Sequence, residues 1–180
     1  MTWKIDPAHT SVRFTARHMM VTTVHGEFKK FDGTIEFDDK QPAKTTVDIT
    51  IDAASVDTHE PQRDGHLRSP DFFNAEVYPT LTFKSTSVEV VDDTHAKLHG
   101  NLTIREATRP LTLDVEYYGT GKTPYGKTVA GFSAQAKINR KDWDLTWNVA
   151  LETGGWLVSD QVALTIELEL VAEAETAAAS

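Results

Sequence analysis

The sequence predicts an all-β protein, an eight-stranded antiparallel up-and-down barrel with a short helical lid inserted between strands 3 and 4. Three observations predict this fold. Apolar residues alternate with polar ones over most of the chain, which is the pattern of strands that bury one face. Short turn signals separate most of these stretches. One long segment, residues 58–79, has no alternation and interrupts the series.

The alternation defines the strands in order along the chain. It is clearest between Val162 and Leu170, where every second residue is a large aliphatic one. A phase slip at Lys29-Lys30, inside the second predicted strand, indicates a β-bulge. The predicted strands cover residues 9–24, 24–38, 44–53, 79–91, 94–105, 108–120, 127–141 and 157–171.

The connections between these strands favour a barrel. Turn signals such as Asp38-Asp39 and Asp92-Asp93 are short, and short connections join antiparallel neighbours. Closing such a meander into a barrel removes its two exposed edges. A barrel of about eight strands is either filled by its own side chains or holds one small ligand. The strand pattern leaves both alternatives open.

The segment that lacks alternation is predicted to be the lid. Thr58 or His59 is expected to cap a short helix entered through Pro61, and Ser69-Pro70 is expected to begin a second. A connection of this length inside a compact domain is usually functional or a lid.

Charged and large apolar residues occur together in this lid. Leu67, Phe72 and Phe73 are expected to plug one end of the barrel, while Arg63 and Asp64 hydrogen-bond to loop backbone groups. The same residues suit a gate beside a ligand entrance, and the two interpretations are compatible.

Composition limits the class of function. The 180 residues suit one domain, predicted over residues 1–172 and followed by a disordered tail, 173–180. The 27 acidic and 18 basic residues give a net charge of −9 with no basic cluster, which argues against nucleic acid as a partner. The absence of cysteine excludes disulfides, thiolate zinc sites and cysteine nucleophiles. No apolar run is long enough for a membrane-spanning helix, and without a secretory signal the expected location is cytoplasmic.

The sequence carries no motif that predicts catalysis. Gly121-Lys122-Thr123 lacks the earlier glycine of a phosphate loop, because position 116 is Glu, and a turn follows it instead of a helix. The common hydrolase and metalloprotease signatures do not occur. His59 and His66 lie at irregular loop spacing, which does not predict a metal site. We therefore expect no catalytic residue, no metal and no cofactor.

Several sequence segments resemble the YceI-like, polyisoprenoid-binding, lipocalin-like family, in the family's order and across residues 3–171. The segments are Trp3–Phe14, His18-Met19, Val24–Phe28, Thr58, Arg63–Leu67, Asp71–Asn74, Tyr78-Pro79, Gly100–Ile104, Ile138–Trp143 and Val158–Asp160. One departure is Arg105-Glu106-Ala107-Thr108, where the family often places glycine near the turn.

The resemblance implies an eight-stranded barrel whose apolar pore holds an isoprenoid chain, such as a quinone tail or a polyprenyl lipid. It implies no catalytic residues, and many relatives are periplasmic. Transient membrane contact is a further expectation, and so is a homodimer, which rests on the resemblance and on exposed rims. Small inward residues, Ala16, Ala53, Ala130, Ala134 and Ala136, agree with free volume in the pore.

We therefore predict a non-enzymatic carrier or reservoir for an isoprenoid or similar amphiphile. Two alternatives remain: an enzyme that uses Asp64 and His66 on a lipid-like substrate, and a packed, empty barrel that serves as an interaction module. His18 continues the inward face of Val12, Phe14 and Ala16 and is expected near the barrel mouth, either hydrogen-bonded inside the fold or in contact with a polar headgroup. The predicted ligand contacts are Phe14, His18, Phe28, Phe37, Ile49, Phe72, Phe73, Phe83, Leu102, Leu113, Phe132, Ala134 and Leu164.

Overall fold

The computed structural model of the chain describes residues 2–152 and 154–173. Within these residues, eleven strands form one antiparallel sheet. The strands are β1 (Thr2–Ile5), β2 (Ser11–His18), β3 (Thr22–Phe28), β4 (Phe31–Glu36), β5 (Thr46–Asp52), β6 (Val56–Asp57), β7 (Thr80–Val90), β8 (His95–Ile104), β9 (Ala107–Lys122), β10 (Thr128–Asn139) and β11 (Gln161–Ala172). The tail predicted for residues 173–180 lies outside the described residues except for Glu173.

Three pairs of consecutive strands continue one another across a break. β1 and β2 both pair with β11. On their other side, β1 pairs with β4 and β2 pairs with β3. β4 in turn pairs with β5, and β3 pairs with β6. With each pair counted as one wall, the eleven strands make eight walls, and the β1–β11 ladder closes the ring. The predicted eight-stranded antiparallel barrel is confirmed.

The alternation predicts that the first strand begins at residue 9, whereas the first wall of the barrel begins at Thr2. Trp3 and Ile5 pair with Ala172 and Leu170 of β11. The Asp6 carboxylate then accepts a hydrogen bond from the Ala8 amide at 3.0 Å and caps a short 3-10 turn. This turn separates β1 from β2, and it leaves β1 too short to show a periodic pattern of its own.

The phase slip at Lys29-Lys30 is a break in the second wall, between β3 and β4. The Lys29 amide donates to the Ser55 carbonyl at 3.2 Å, and the Asp52 amide donates to the Lys30 carbonyl at 2.9 Å. Ser55 ends the 3-10 turn Ala53–Ser55, which separates β5 from β6. The breaks in two neighbouring walls therefore lie side by side and satisfy each other's backbone groups.

The lid contains one helix, α1 (Pro61–Arg68), the only α-helix in residues 2–152 and 154–173. Its N-cap is Glu60, whose carboxylate accepts from the Arg63 amide at 2.6 Å and from the Gln62 amide at 3.3 Å. The prediction of Thr58 or His59 as the cap was wrong, because Pro61 occupies the first helical position and Glu60 is the residue before it. No described helix is both long enough and apolar enough to cross a membrane.

The second helical turn predicted at Ser69-Pro70 is absent, and residues 70–77 form successive turns. Backbone amides in this stretch bond back to the end of α1. The Phe73 amide donates to the Leu67 carbonyl and the Ala75 amide to the Arg68 carbonyl, both at 2.9 Å. These bonds satisfy the terminal carbonyls of α1, so the chain turns back onto the end of α1 instead of forming a second helix.

Apolar clusters pack at both ends of the barrel. Trp3 and Phe37 belong to the cluster at the end where the chain starts, and the Trp3 indole donates to the Phe37 carbonyl at 2.9 Å. At the lid end, the buried Trp143 indole donates to the Leu102 carbonyl at 2.8 Å. Each buried indole thus brings its polar N–H to a backbone acceptor.

Glycines on the walls make room for inward aromatic rings. Gly26 faces the ring of Phe14, and Gly100 faces the ring of Phe83; a Cβ at either glycine would overlap the ring. A Cβ at Gly100 would also lie 2.6 Å from the carbonyl oxygen of Lys84, which is backbone and cannot rotate away. These glycines therefore set how closely the rings lie against the wall.

We expect Gly100→Ala to destabilise the barrel by roughly 1–3 kcal/mol, the usual cost of overpacking. Chemical denaturation followed by tryptophan fluorescence measures the change. Gly121→Ala is the matched control, because no atom beyond its two chain neighbours lies within 4 Å of the position its Cβ would take on β9. Equal stability of the two variants would contradict the packing argument.

Candidate ligand cavity

The barrel interior holds a cavity of about 440 Å³, within the usual range for small-molecule sites. Twelve of the thirteen predicted contact residues line it, and their role as ligand contacts stays a prediction. These twelve are Phe14, Phe28, Phe37, Ile49, Phe72, Phe73, Phe83, Leu102, Leu113, Phe132, Ala134 and Leu164.

His18 is the residue that does not line the cavity. It is the last residue of β2 and forms a bridge with Val158. The lining residues of β2 end at Ala16, whereas Val158, the bridge partner of His18, lines the cavity. His18 is thus the one predicted contact outside the lining, and its role beside a polar headgroup stays a prediction.

Only some of the inward alanines contribute free volume. Ala16 and Ala134 line the cavity. Ala53 and Ala130 are fully buried by neighbouring side chains, and Ala136 packs against the core without reaching the cavity. Ala134 stands opposite Ile166 on β11 and Val115 on β9.

A bulge in β7 shapes the entrance. The β5–β7 ladder ends at Asp48 and Lys84, and the β7–β8 register shifts between Ser85 and Ser87. At the break the Val47 amide donates to the Ser85 hydroxyl at 2.8 Å instead of to a backbone carbonyl. Beyond this point β7 is no longer paired with β5, whereas β8 stays paired with β9 as far as His95, so only one edge of the β7–β8 hairpin is left without a partner strand.

Lining residues lie on both sides of this opening. Val90, which is 46% exposed, lines it on the hairpin. Pro42 and Thr45 line it on the loop between β4 and β5. The entrance is thus at the end opposite the lid, between that loop and the tip of the hairpin.

The hairpin tip is organised by Asp92. One carboxylate oxygen, Oδ1, accepts from the Thr94 amide at 2.9 Å, the His95 amide at 2.8 Å and the Thr94 hydroxyl at 3.2 Å, and lies 3.0 Å from His95 Nδ1. The Thr94 amide, followed by the His95 side chain, lowers the pKa of Asp92 from 3.8 to about 2. The ionised form of Asp92 therefore stabilises the conformation of the hairpin tip at the entrance.

At the opposite end the lid closes the barrel with apolar side chains. Leu67, Phe72 and Phe73 line the cavity there, and the Phe73 ring lies 5.5 Å from that of Phe28. The predicted plug is thus where the sequence analysis placed it.

The charges of the lid have structural partners. The Asp64 carboxylate accepts from the Thr58 hydroxyl at 2.6 Å and from the Thr58 amide at 2.8 Å. The Arg63 guanidinium donates to the Thr58 hydroxyl at 2.7 Å and to its carbonyl at 2.8 Å. Thr58 and Asp64 are buried. This network confirms that Arg63 and Asp64 satisfy loop backbone groups.

His66 is likewise engaged by its neighbours. Its Nε2 lies 2.9 Å from an Asp71 carboxylate oxygen, and its ring packs edge-on against Phe72 at 5.1 Å and Trp147 at 4.5 Å. Neither His66 nor Asp64 lines the cavity. The geometry of both residues supports a role in holding the lid.

The turn that departs from the family pattern also holds the lid. Arg105 adopts a left-handed conformation with φ 56°, where glycine is favoured. Its guanidinium donates to the Phe72 carbonyl at 3.0 Å, and the neighbouring Glu106 accepts from the Tyr78 hydroxyl. These side chains bind the lid to the β8–β9 turn, which glycine could not do.

The family of the chain follows from comparison with known proteins. The YceI-like domain model matches residues 3–170. The chain belongs to the YceI-like family. Protein YceI of Escherichia coli O157:H7 is 41% identical over 169 residues, which cover 93% of this chain and 85% of that protein.

Solved structures share the YceI-like barrel. Burkholderia cenocepacia BcnA superposes with a TM-score of 0.79 at 25% identity, over 92% of this chain and 98% of BcnA. A polyisoprenoid binding domain from Saccharophagus degradans gives a TM-score of 0.68 at 15% identity, over 95% of this chain and 98% of that domain. The second likeness is one of fold.

Arg140 is a buried residue of this YceI-like barrel whose role the sequence analysis missed. It is 3% exposed, and its guanidinium donates to the carbonyls of Leu145 at 2.6 Å, Trp147 at 2.9 Å and Ser159 at 2.9 Å. Burial lowers the pKa of Arg140, while Asp160 raises it. One side chain thus holds the irregular segment between β10 and β11.

Two surface groups bring metal-type ligand atoms together in the described part of the YceI-like chain. One is Asp6, His9 and Glu169, and the other is Glu27, Asp57 and His59. Neither contains His66. Their members already pair with one another or with a lysine: His9 Nδ1 lies 2.7 Å from Asp6, and Lys29 lies 2.6 Å from Asp57. Neither group lines the cavity.

We expect the entrance of this YceI-like barrel to lose its order as the pH falls from about 4 to about 2. The folded pKa of Asp92 is depressed to about 2 from 3.8, so its contribution is present above about pH 4 and is lost on protonation. NMR shifts of the Thr94 and His95 amides should titrate near pH 2, and Asp92→Ala should abolish the transition. A midpoint near 3.8 would show that the carboxylate is free in solution.

We expect Asp64→Ala to destabilise the fold by about 1–3 kcal/mol, because it leaves the buried Thr58 amide without its acceptor. Thermal unfolding measures the loss, and limited proteolysis should show cleavage in the lid. Glu76→Ala, an exposed acidic residue of the same connection, is the control and should melt like the unmodified protein. Unchanged stability of Asp64→Ala would reject the structural role.

Proposed function

We propose that this protein binds one apolar chain of the isoprenoid type inside its barrel and acts as a carrier or reservoir, without catalysing a reaction. The observation that carries the proposal is the cavity of about 440 Å³ lined by apolar side chains within a closed wall. The fold is shared with a polyisoprenoid binding domain of Saccharophagus degradans, and this supports the same class of ligand.

The energetics of such a cavity suit the exchange of an apolar chain with a membrane. Burying a methylene group contributes about 0.8 kcal/mol relative to water, so a prenyl chain strongly prefers the cavity to solvent. A bilayer interior is equally apolar, so burial of apolar surface contributes a free energy near zero when the prenyl chain moves between the bilayer and the barrel. Selection must come from the shape of the cavity and from the polar groups at its entrance. Contact with a membrane is part of the proposal.

The geometry favours this function over the two alternatives. A packed interaction module would have its interior filled by side chains, and this barrel has a cavity. An enzyme using Asp64 and His66 would need both residues to face its substrate, whereas each is bonded within the lid and outside the cavity lining.

Native mass spectrometry with organic extraction of the purified protein tests the proposal. We expect a co-purifying apolar molecule of several hundred daltons. Protein that is free of such a molecule after expression in several lipid-rich hosts would contradict the carrier function.

We expect Ala134→Trp to reduce the co-purifying ligand sharply with little loss of stability. Ala134 lines the cavity, so an indole there occupies space that a ligand would otherwise hold. Mass spectrometry gives the ligand content, and thermal unfolding gives the stability. Gln135→Trp is the control, since Gln135 is the exposed neighbour on the outer face of β10, and it should retain the ligand. A loss of about 1–3 kcal/mol or more, with ligand content unchanged, would mean that the cavity lies elsewhere.

A further inference from the structure

The entrance of the cavity carries carboxylates. Asp39 lies on the loop between β4 and β5, and Asp92 and Asp93 lie at the tip of the β7–β8 hairpin; all three are exposed and line the opening. No lysine is among the lining residues. Lys40 and Lys44, in the same loop as Asp39, are exposed and lie outside the lining.

The arginines of the lining do not offset this charge. Arg140 lies at the lid end, where its guanidinium is bonded to backbone carbonyls. Arg13 is exposed on β2, between the inward residues Val12 and Phe14, and its neighbours across the ladder are Thr165 and Glu27. Neither belongs to the loop or the hairpin that forms the rim.

Three backbone amides of the loop and the hairpin tip are bonded to the protein's own carboxylates. Protein sites for phosphate are built from arginine, lysine and converging backbone amides. At the hairpin tip the Thr94 and His95 amides converge on the carboxylate of Asp92. On the facing loop, the Lys40 amide donates to the carboxylate of Asp38 at 2.9 Å. These three amides are therefore not free to bind a phosphate.

We infer that the cavity selects chains whose polar end is uncharged, such as an alcohol or a quinone, and that Asp39 and Asp93 exclude chains ending in a diphosphate. This inference rests on the proposed function and specifies the ligand class of the same site. The apolar wall binds the tail of either ligand equally. The rim repels only the anionic head, so selection comes from an unfavourable contact with the wrong ligand.

Farnesol and farnesyl diphosphate test the inference, because they share one tail and differ only at the head. Each is titrated against the protein loaded with the neutral fluorescent probe N-phenyl-1-naphthylamine. We expect farnesol to displace the probe at a concentration at least about tenfold lower, since a single unit-charge pair about 4 Å apart in water already changes an equilibrium about fivefold. Raising the ionic strength from about 0.01 M to about 1 M should narrow this difference.

The double variant Asp39→Asn/Asp93→Asn should reduce the preference for farnesol several-fold and leave farnesol binding unchanged. Asp92 is retained in this variant because it shapes the hairpin tip. Asp48→Asn/Asp114→Asn is the control: it removes the same charge from exposed outer positions of β5 and β9, and it should keep the preference.

The outcomes separate the two proposals. If farnesol and farnesyl diphosphate bind equally well to the unmodified protein, the exclusion of anionic heads is wrong while binding of the apolar chain stands. If the preference exists but survives Asp39→Asn/Asp93→Asn, its assignment to these carboxylates is wrong. If neither ligand displaces the probe, the proposed function itself fails.

Discussion

The pairing of β1 with β11 is the constraint on which the rest of the molecule depends. This short ladder, in which Trp3 stands opposite Ala172 and Ile5 opposite Leu170, turns a curled sheet into a ring. Once closed, an eight-walled barrel has an interior of nearly fixed width, because strand number and tilt determine its diameter. The side chains of the inner face then either fill that width or leave a cavity.

The two ends of the barrel use their charges differently. At the lid end, Arg63, Asp64 and Arg140 are bonded to backbone groups or to Thr58, so their charges serve the fold. At the entrance, Asp39 and Asp93 stand exposed beside an apolar opening. The charges named at the lid end are thus bonded within the protein, whereas Asp39 and Asp93 at the entrance are exposed to solvent.

Local pattern predicted much of this structure, and the errors arise where contacts are long-range. The walls that contain Phe132, Ala134 and Leu164 were correctly predicted, because a period of two assigns each residue to a face. β1 was missed because Trp3 and Ile5 are too few to form a pattern, and its place in the sheet depends on a partner some 165 residues away. Asp39 and Asp92 appeared only as turn residues, since nothing local shows that two distant turns form one rim.

The edge of β7 that is unpaired beyond Lys84 has a kinetic consequence. The opening beside this edge lies at the end of the barrel away from α1, so exchange of the proposed ligand there would break none of the hydrogen bonds that hold the helix. The residence time of that ligand would then depend on the width of the opening and on the contacts along the cavity wall. The barrier to global unfolding is a separate quantity, so a mutation that narrows the opening can lengthen the residence time without raising the melting temperature.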